Sequence, residues 1–583
     1  MKKTVIRFTM LLGFACLSSC EKYLDKAPEE LLSLEVTFAN RQYTESFLYR
    51  IYNYLPSYNF WMDQPYNGIA DDTDITWNRS NYPSYDMNLG NWNPTSAIVG
   101  DIWRNHYQVF RQIAIFLANV DKAPISNENK TLYKAEAKFL RAFYYMNLVR
   151  LYGPVPLVIS EVSFDDPSFN IARNTMDECL NQIIKDLDES AQDLPLKHEN
   201  IWAGKPTKGT ALAMKARILL WAASPLVNGN TDLAGMVGKD GKALFSTSFD
   251  KNRYKLAMDA SKAVIDLNVY KLYTVLDSKG AIDPLASYKG VFISQYANDE
   301  VIWGRNLSGG NSLELDQHCM LRSKGGWNGV AVTQKSVDTY EMANGKPITD
   351  PTSGYLETGF SKEATAYAPK GTWNMYVGRE PRFYVSVNYS GAPWWDNSKA
   401  EFFYKGKDGK EIGRDDHSRT GYLVRKFIDP VSDPIANRNR AKVFSYIRLA
   451  DVYLMYAEAS NEFSGPTAEA IEYVNRIRQR AGLPALPTGI SQADLRERIR
   501  HERAIELAHE QLRYFDLRRW KQASEMKGAF EGMSVDLGSS ASDESFFKRS
   551  VFETRVFENK HYWWPIPQSE IDKNQAMVQN PGW

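Results

Sequence analysis

The chain has 583 residues, and its 70 lysines and arginines balance its 70 aspartates and glutamates. Balanced charge gives no global field that attracts polyanions, so we expect no nucleic-acid partner. Aromatic residues make up 13% of the chain, including 15 tryptophans and 33 tyrosines. A core needs only apolar volume, which leucine or isoleucine also supplies, so we expect some of these rings to serve a binding surface.

The N-terminus has the pattern of a lipoprotein signal. A positively charged start at residues 2–7 precedes the apolar run Phe8–Leu17, and two serines lead to Cys20. The pattern predicts cleavage before Cys20 and diacylation of that cysteine, with a signal peptide at 1–19 and a lipidated tether at 20–34. The alternative is an ordinary secretory peptide with an incidental cysteine. No later stretch has the roughly 18 apolar residues of a membrane-spanning helix.

Helical periodicity of apolar residues recurs along the chain and is interrupted by two loop-rich regions. The first, Pro56 to about Gly100, is rich in Asn, Asp, Gly, Trp and Tyr, and loops this long are usually functional or disordered. In the second, Asn268 to about Arg440, short apolar runs such as Val301–Trp303 predict short strands. The predicted helices are Arg41–Leu55, Asp101–Val120, Thr131–Tyr152, Asn174–Asp193, Thr207–Ala223, Tyr254–Leu267, Ala441–Phe463, Thr467–Ala481 and Gln492–Leu512.

The stretch Ser445–Glu462 is predicted to be the helix that organises the scaffold. Ile447, Ala450 and Leu454 recur at the three-and-four spacing of a helix, and further apolar residues cover an adjoining face, so this helix should be buried. A Ser-Gly-Pro breaker follows, and Thr467–Ala481 then has the stripe of a second helix. Helix pairs of this kind are the unit of a helical-repeat scaffold.

Several motifs together resemble one family. Ser445–Glu462 reads SYIRLADVYLMYAEASNE and resembles the signature of the SusD/RagB family of outer-membrane nutrient-uptake lipoproteins. The resemblance implies a mostly α fold, namely a tetratricopeptide-like helix-pair scaffold with long irregular loops and a few short β-strands. Further matches, in family order, are Glu136–Pro156, Ala470–Leu483, Ile499–Trp520 and the terminal PIPQSEIDKNQAMVQNPGW.

The resemblance also implies a domain organisation and a function. Residues 35–583 would form a single domain with a helical part at 35–267, a loop and short-strand part at 268–440 and a second helical part at 441–583. Such a protein, lipid-anchored at the outer-membrane surface, captures an oligosaccharide or polysaccharide and delivers it to a SusC-like TonB-dependent transporter. No catalytic residue and no cofactor are expected. The alternatives are a surface glycoside hydrolase, or a peptide-uptake or scaffold lipoprotein of the same fold.

The predicted ligand site is aromatic. A pyranose ring has an apolar C–H face and a rim of hydroxyls, so it is held by a flat ring together with amides, carboxylates or guanidinium groups at its edges. The resemblance implies that an arc of aromatics from the two loop-rich regions holds the ligand, although each ring could instead pack its loop onto the scaffold. The candidates are Trp77, Asn78, Arg79, Trp92, Trp327, Asn328, Trp394 and Trp395, whereas Trp103, Trp303, Trp563 and Trp564 are predicted to be core.

Other chemistry-bearing residues favour structural roles. Asp71–Asp74 could offer carboxylates to a calcium ion but lacks the EF-hand pattern, so a loop that caps a turn or accepts sugar hydroxyls is favoured and no metal is indicated. A zinc helix starting at His501 would need a second histidine where Ile505 stands. Cys179 and Cys319 are predicted to be free thiols. Charges near His501 are expected to pair across helices: Glu502, Glu506, Arg513, Asp516 and Arg518.

Overall fold

The computed structural model describes residues 33–56, 65–77, 82–161, 170–199, 204–294 and 298–583, and helices dominate this part of the chain. The α-helices are α1 Leu34–Phe38, α2 Arg41–Tyr52, α3 Pro83–Asn88, α4 Ala97–Asn119, α5 Asn127–Tyr152, α6 Met176–Asp193, α7 Lys208–Ala223, α8 Asn252–Asp266, α9 Pro284–Ile293, α10 Gly310–Cys319, α11 Gln334–Thr339, α12 Pro381–Ser386, α13 Leu449–Ser464, α14 Ala468–Arg480, α15 Gln492–Glu506, α16 Arg513–Arg519 and α17 Gln568–Lys573. The strands are β1 Thr73–Ile75, β2 Val301–Leu307, β3 Val330–Val332, β4 Val387–Tyr389, β5 Tyr422–Val424, β6 Lys442–Arg448, β7 Gly528–Met533 and β8 Arg549–Arg555.

The long helices pack side by side into one layer. Helix α5 packs on α4 and α6, α6 on α7, α7 on α8, α8 on α13, and α13 on both α14 and α15. Buried alanines such as Ala257 and Ala260 let neighbouring backbones approach closely. Thr175 and Thr207 each close a capping box at the start of a helix, which fixes where α6 and α7 begin. The predicted mostly α, tetratricopeptide-like scaffold is confirmed.

The strands form four separate two-stranded antiparallel ladders among the described residues, as the prediction of short strands anticipated. They join β1 to β3, β2 to β6, β4 to β5, and β7 to β8. Most of the loop-rich segment 268–440 packs around a second apolar core, distinct from the core of the helical layer. Tyr376, Phe383 and Tyr389 lie at its centre with stacked rings. The loops therefore form a folded layer with its own interior.

The stretch Ser445–Glu462 is not helical throughout. Its first four residues belong to β6, which pairs with β2 and aligns Ile447 with Trp303. Arg448 still has extended backbone angles, and helix α13 begins only at Leu449. The predicted helix was therefore wrong over these residues, because strand β6 is rich in β-branched and aromatic side chains and pairing with β2 outweighs the apolar spacing.

Two other boundaries differ from prediction. Helix α15 ends at Glu506 rather than continuing to residue 512, because the chain turns through left-handed residues, with φ of 64° at His509 and 63° at Gln511. The apolar run around Phe383 starts as a short helix and becomes a strand only at Val387, because proline at the first helical position favours helix initiation.

A buried network of ion pairs joins the two layers. Glu506 on α15 accepts hydrogen bonds from Arg382, Arg448 and Arg480, and every member is almost fully buried. These contacts connect α12, β6 and α14 to one carboxylate, and they hold the pKa of Glu506 well below its ordinary range despite burial. The predicted pairing across helices is thus confirmed for Glu506. Glu502 likewise pairs with Arg382 and Arg478. Arg513 pairs with Asp71, and Asp516 pairs with Arg503 and Arg519. Arg518 instead donates hydrogen bonds to main-chain carbonyls.

Candidate functional site

The β1–β3 ladder brings the two loop-rich regions together. Thr73 aligns with Val332 and Ile75 with Val330, so the residues just after β1 lie beside those just before β3. The N–H of Thr76 donates to the carbonyl of Gly329 at 3.0 Å, and its hydroxyl donates to the carbonyl of Asn328 at 2.7 Å. Trp77 follows at once on one side, and Trp327 precedes on the other.

Trp77 and Trp327 contact a common side chain, that of His318. The His318 ring lies edge to face with both, with centroid distances of 5.5 Å to Trp77 and 4.6 Å to Trp327. Tyr82 stacks on Trp77 at 5.3 Å, which extends the group of rings. His318 donates its Nδ1–H to the carbonyl of Glu314 at 2.9 Å, and burial lowers its pKa to about 4, so the ring is neutral at physiological pH.

Asn328 holds the loop that carries Trp327. Its φ of 49° lies in the left-handed region that asparagine tolerates better than most residues. Its side-chain oxygen accepts from the N–H of Arg322 at 3.0 Å, and its amide donates to the carbonyls of Asp408 at 2.9 Å and Asp416 at 3.1 Å. The side chain is fully buried, so it positions the aromatic group from behind.

A polar cleft of about 740 Å³ opens beside Trp77. Trp77 itself is 7% exposed, and its indole N–H donates to Asp416 Oδ1 at 3.3 Å. Trp327 is half-buried and leaves more of its ring accessible. The cleft wall mixes aromatic, cationic, carboxylate and imidazole groups, which gives both donors and acceptors. Its lining residues are Thr76, Trp77, Lys410, Asp415, His417, Arg419, Val535, Asp536, Val551 and Phe552.

Most of these lining residues could not be chosen from the sequence. The polar run 413–419, reading GRDDHSR, contributes Asp415, His417 and Arg419 to the cleft. Its dense charge is the one sequence feature that could have pointed to these residues. His318 gave no signal, because a lone histidine at the end of a helix is ordinary. Only the pairing of β1 with β3 places it between two tryptophans.

Trp394 and Trp395 form a second aromatic group. Their ring centroids are 4.3 Å apart, with Trp394 buried and Trp395 half-buried. Lys324 pairs with Asp396 at 2.5 Å, and this contact joins the loop before Trp327 to the loop after Trp395. The structure therefore sets these two tryptophan-bearing loops side by side.

The remaining candidates fall elsewhere. Trp92 is 5% exposed and packs among His561, Trp564 and Trp583 in the helical core. Unlike Trp77, which is about as buried, it does not line the polar cleft, and we leave it out of the site proposed below. Its polar neighbours in sequence suggested exposure, but they lie on the surface while the ring turns inward. Asn78, Arg79 and the lipidation candidate Cys20 lie outside the described residues. Trp103, Trp303, Trp563 and Trp564 are buried as predicted.

The acidic run Asp71–Asp74 anchors the early loop. Asp71 pairs with Arg513 at 2.7 Å, and Asp74 pairs with Arg555 at 3.1 Å, so protein cations already occupy these carboxylates. Across the residues that the structure covers, no group of three His, Cys, Asp or Glu side chains is arranged to hold a metal ion. Cys179 and Cys319 are buried free thiols, as predicted. In the same part of the chain, no helix combines the length and apolar character that crossing a bilayer requires.

Comparison with known proteins identifies the family. The model of the SusD family matches residues 299–583, and the model described as "Starch-binding associating with outer membrane" matches residues 22–220. The SusD-like protein P25 of Formosa agariphila is 24% identical over 612 residues, covering 99% of this chain and 98% of that protein.

Solved structures share the whole fold. A SusD-like protein from Bacteroides fragilis, BF3747, is 25% identical with a TM-score of 0.76, covering 96% of this chain and all of that one. The structure named BT4246 is 27% identical with a TM-score of 0.80, covering 93% of this chain and 99% of that one. Together the two family models span most of the sequence, and the description of the second supports carbohydrate binding and association with the outer membrane. The chain belongs to the SusD family.

Proposed function

We propose that this protein binds a glycan at the cleft beside Trp77 and Trp327 and passes it, uncleaved, to a SusC-like TonB-dependent transporter. The observation that carries the proposal is that Trp77 lines a polar cleft and shares its contact with His318 with the half-buried Trp327. Rings from regions far apart in sequence meet only where the fold assembles them. The description of the matching family as starch-binding agrees with a sugar ligand.

The cleft has the chemistry that a sugar chain requires. Its volume of about 740 Å³ falls within the range of roughly 300–1,000 Å³ typical of ligand sites. Arg419 is held in place by Glu553 at 3.2 Å and stacks over Phe552 at 5.2 Å, so its guanidinium group is pre-oriented beside the cleft. Lys410 and Asp536, which also line the cleft, pair at 2.5 Å. Such groups exchange hydrogen bonds with sugar hydroxyls while an aromatic ring covers the C–H face.

Binding is favoured over hydrolysis by the state of the cleft carboxylates. A glycoside hydrolase needs one carboxylic acid with a raised pKa, usually in an apolar setting, and a second carboxylate at a fixed distance from it. Asp536 is largely exposed and pairs with Lys410, so it does not lie in the apolar setting that a catalytic acid usually has. The cleft therefore supports a binding protein better than the alternative of a surface hydrolase.

The cellular setting of the proposal rests on the N-terminal sequence and on the family. Diacylation of Cys20 would anchor the chain stably, because two acyl chains together bury enough methylene groups to hold a protein at a membrane. The family description supports outer-membrane association. The transporter partner and exposure on the cell surface are parts of the proposal. A peptide-uptake or scaffold role remains the alternative within the same fold.

The test is a binding screen of the soluble form that starts after Cys20. Isothermal titration calorimetry and affinity electrophoresis against plant and host polysaccharides would find the cognate glycan. The same glycan is then measured for release of reducing ends. Binding without new reducing ends supports the proposal, whereas release supports the hydrolase, and a screen with no glycan binding supports the scaffold or peptide alternatives.

A further inference from the structure

A second, smaller cavity of about 240 Å³ lies beside Trp395. It is bounded by helix α9, by the segment around Tyr367 and by the strands β4 and β5. Four aromatic, four aliphatic and two cationic residues line it. The aromatic and cationic residues of this wall are Lys289, Tyr367, Tyr384, Tyr389, Trp395 and Arg425.

The two cations face one aromatic ring without a carboxylate between them. Lys289 Nζ lies 4.2 Å from the centre of the Trp395 ring, and the guanidinium carbon of Arg425 lies 4.8 Å from it. Arg425 donates one hydrogen bond, to the carbonyl of Pro393 at 2.9 Å. Among the described residues, neither cation forms an ion pair with a carboxylate, which sets them apart from the paired arginines of the ion network in the interior.

The charges around Lys289 are therefore unbalanced. Burial and, to a smaller extent, the nearby charge of Arg425 lower the pKa of Lys289 to about 7, and Asp429 acts in the opposite direction. Asp429 itself lies 3.7 Å from Arg440, so its charge is shared with another cation. An anion placed between Lys289 and Arg425 would relieve this repulsion and would be strongly attracted in a half-buried setting.

A third polar group in the cavity wall is also without a partner. Tyr389 is 1% exposed, and its hydroxyl has no hydrogen-bond partner among the described residues. Buried polar groups in native proteins are nearly always satisfied, and an exception calls for an explanation. Tyr389 and Arg425 both line this cavity.

We propose that this cavity binds a sugar residue carrying an anionic group, either a carboxylate or a sulfate ester, so that the protein's ligand is an acidic glycan. The anionic group lies between Lys289 and Arg425, the Tyr389 hydroxyl donates to it, and the aromatic residues of the cavity wall contact the sugar ring. A cavity of this size suits a single sugar unit. The proposal deepens the proposed function and rests on it, and the Lys324–Asp396 ion pair holds the loop before Trp327 beside the loop after Trp395.

The test compares matched acidic and neutral probes on the protein without its signal. Calorimetry measures trigalacturonate against its methyl ester, and galactose 6-sulfate against galactose. We expect at least a tenfold preference for the acidic member of one pair, and the pair that shows it identifies carboxylate or sulfate. Equal affinity within both pairs overturns the proposal, and so does binding of peptides with a free C-terminal carboxylate but of neither acidic sugar.

Two variants locate the preference in this cavity. Lys289→Met keeps the packing on Trp395 and removes the charge, and Tyr389→Phe removes only the hydroxyl. We expect the first to abolish the acidic preference and the second to reduce it severalfold, while Lys279→Met, at an exposed lysine, leaves it unchanged. Retention of the full preference in Lys289→Met overturns the assignment. The probe comparison on the unaltered protein decides the proposal even if a variant fails to fold.

The outcome also separates this proposal from the one on which it rests. Neutral glycans that bind through Trp327 with no acidic preference would leave the proposed function standing and overturn the acidic cavity. If Lys289→Met weakens the binding of acidic probes and Trp327→Ala does not, the result would support the cavity. It would also contradict the Trp77–Trp327 cleft as the main site.

Discussion

Trp77 and Trp327 both pack edge to face against His318, at centroid distances of 5.5 Å and 4.6 Å. Each tryptophan comes from a different loop-rich region, and the β1–β3 ladder holds the two regions in register. The candidate glycan site is therefore built by long-range pairing, and its geometry depends on residues that do not touch the ligand.

Gly329→Ala should disturb the site without a change in any polar group. A Cβ at Gly329 would lie 2.3 Å from Cη2 of Trp77, so the indole must move. We expect a loss of stability of about 1–3 kcal/mol from overpacking, together with weakened glycan binding. Gly235→Ala is the matched control, because its Cβ would meet nothing within 4 Å. Calorimetric titration and thermal denaturation measure both effects, and normal binding by Gly329→Ala would show that the position of Trp77 is immaterial.

His318 should make stability depend on pH below neutrality. Its pKa falls from the ordinary 6.5 to about 4 on burial, so the unfolded chain takes up the proton more readily between these values. The stability that follows from this difference in pKa is fully present above pH 6.5 and is lost as the pH falls toward 4. At pH 5 the loss amounts to about 2 kcal/mol.

The test compares urea denaturation of the wild type and His318→Phe at pH 7.5 and pH 5. The wild type should lose more stability than the variant over this interval, because phenylalanine does not titrate. An equal loss in the two proteins would mean that folding does not lower the pKa of His318.

The buried carboxylate of Glu506 should be essential to the joint between the layers. Glu506→Gln leaves Arg382, Arg448 and Arg480 without their shared anion, and breaking such a buried pair costs about 3–5 kcal/mol. The exposed pair of Glu472 with Arg476 is the control, and Glu472→Gln should cost less than about 0.5 kcal/mol. Denaturant midpoints for the two variants should differ clearly, and similar midpoints would contradict the structural role of the network.

Leu454→Asn should damage the scaffold rather than the binding chemistry. Leu454 on α13 is 0% exposed, and the substitution both opens a cavity and buries an amide without a partner, at a cost of at least about 3 kcal/mol. Leu256→Asn on α8 is the control, because that leucine is 53% exposed. Circular dichroism during heating should show a large decrease in melting temperature for the first variant and little change for the second.

The helical layer could be predicted from sequence because its signal is local. Apolar spacing and caps located α4 to α8 within a few residues, since each helix carries its own pattern. The site could be predicted only in part, because Trp77 and Trp327 differ from Trp92 in their tertiary position and not in the composition of the neighbouring sequence. His318 and the cation pair of Lys289 and Arg425 carry no local signal at all. Their roles follow from which chain segments the ladders bring together.

The most direct measurement of the central proposal is the affinity of Trp327→Ala for the cognate glycan. Loss of an aromatic platform at the centre of a site typically costs about 2 kcal/mol, so we expect at least a tenfold weaker binding with unchanged melting temperature. Phe249→Ala, at an exposed ring outside the cleft, should bind like the wild type. Wild-type affinity in Trp327→Ala would contradict the proposed site.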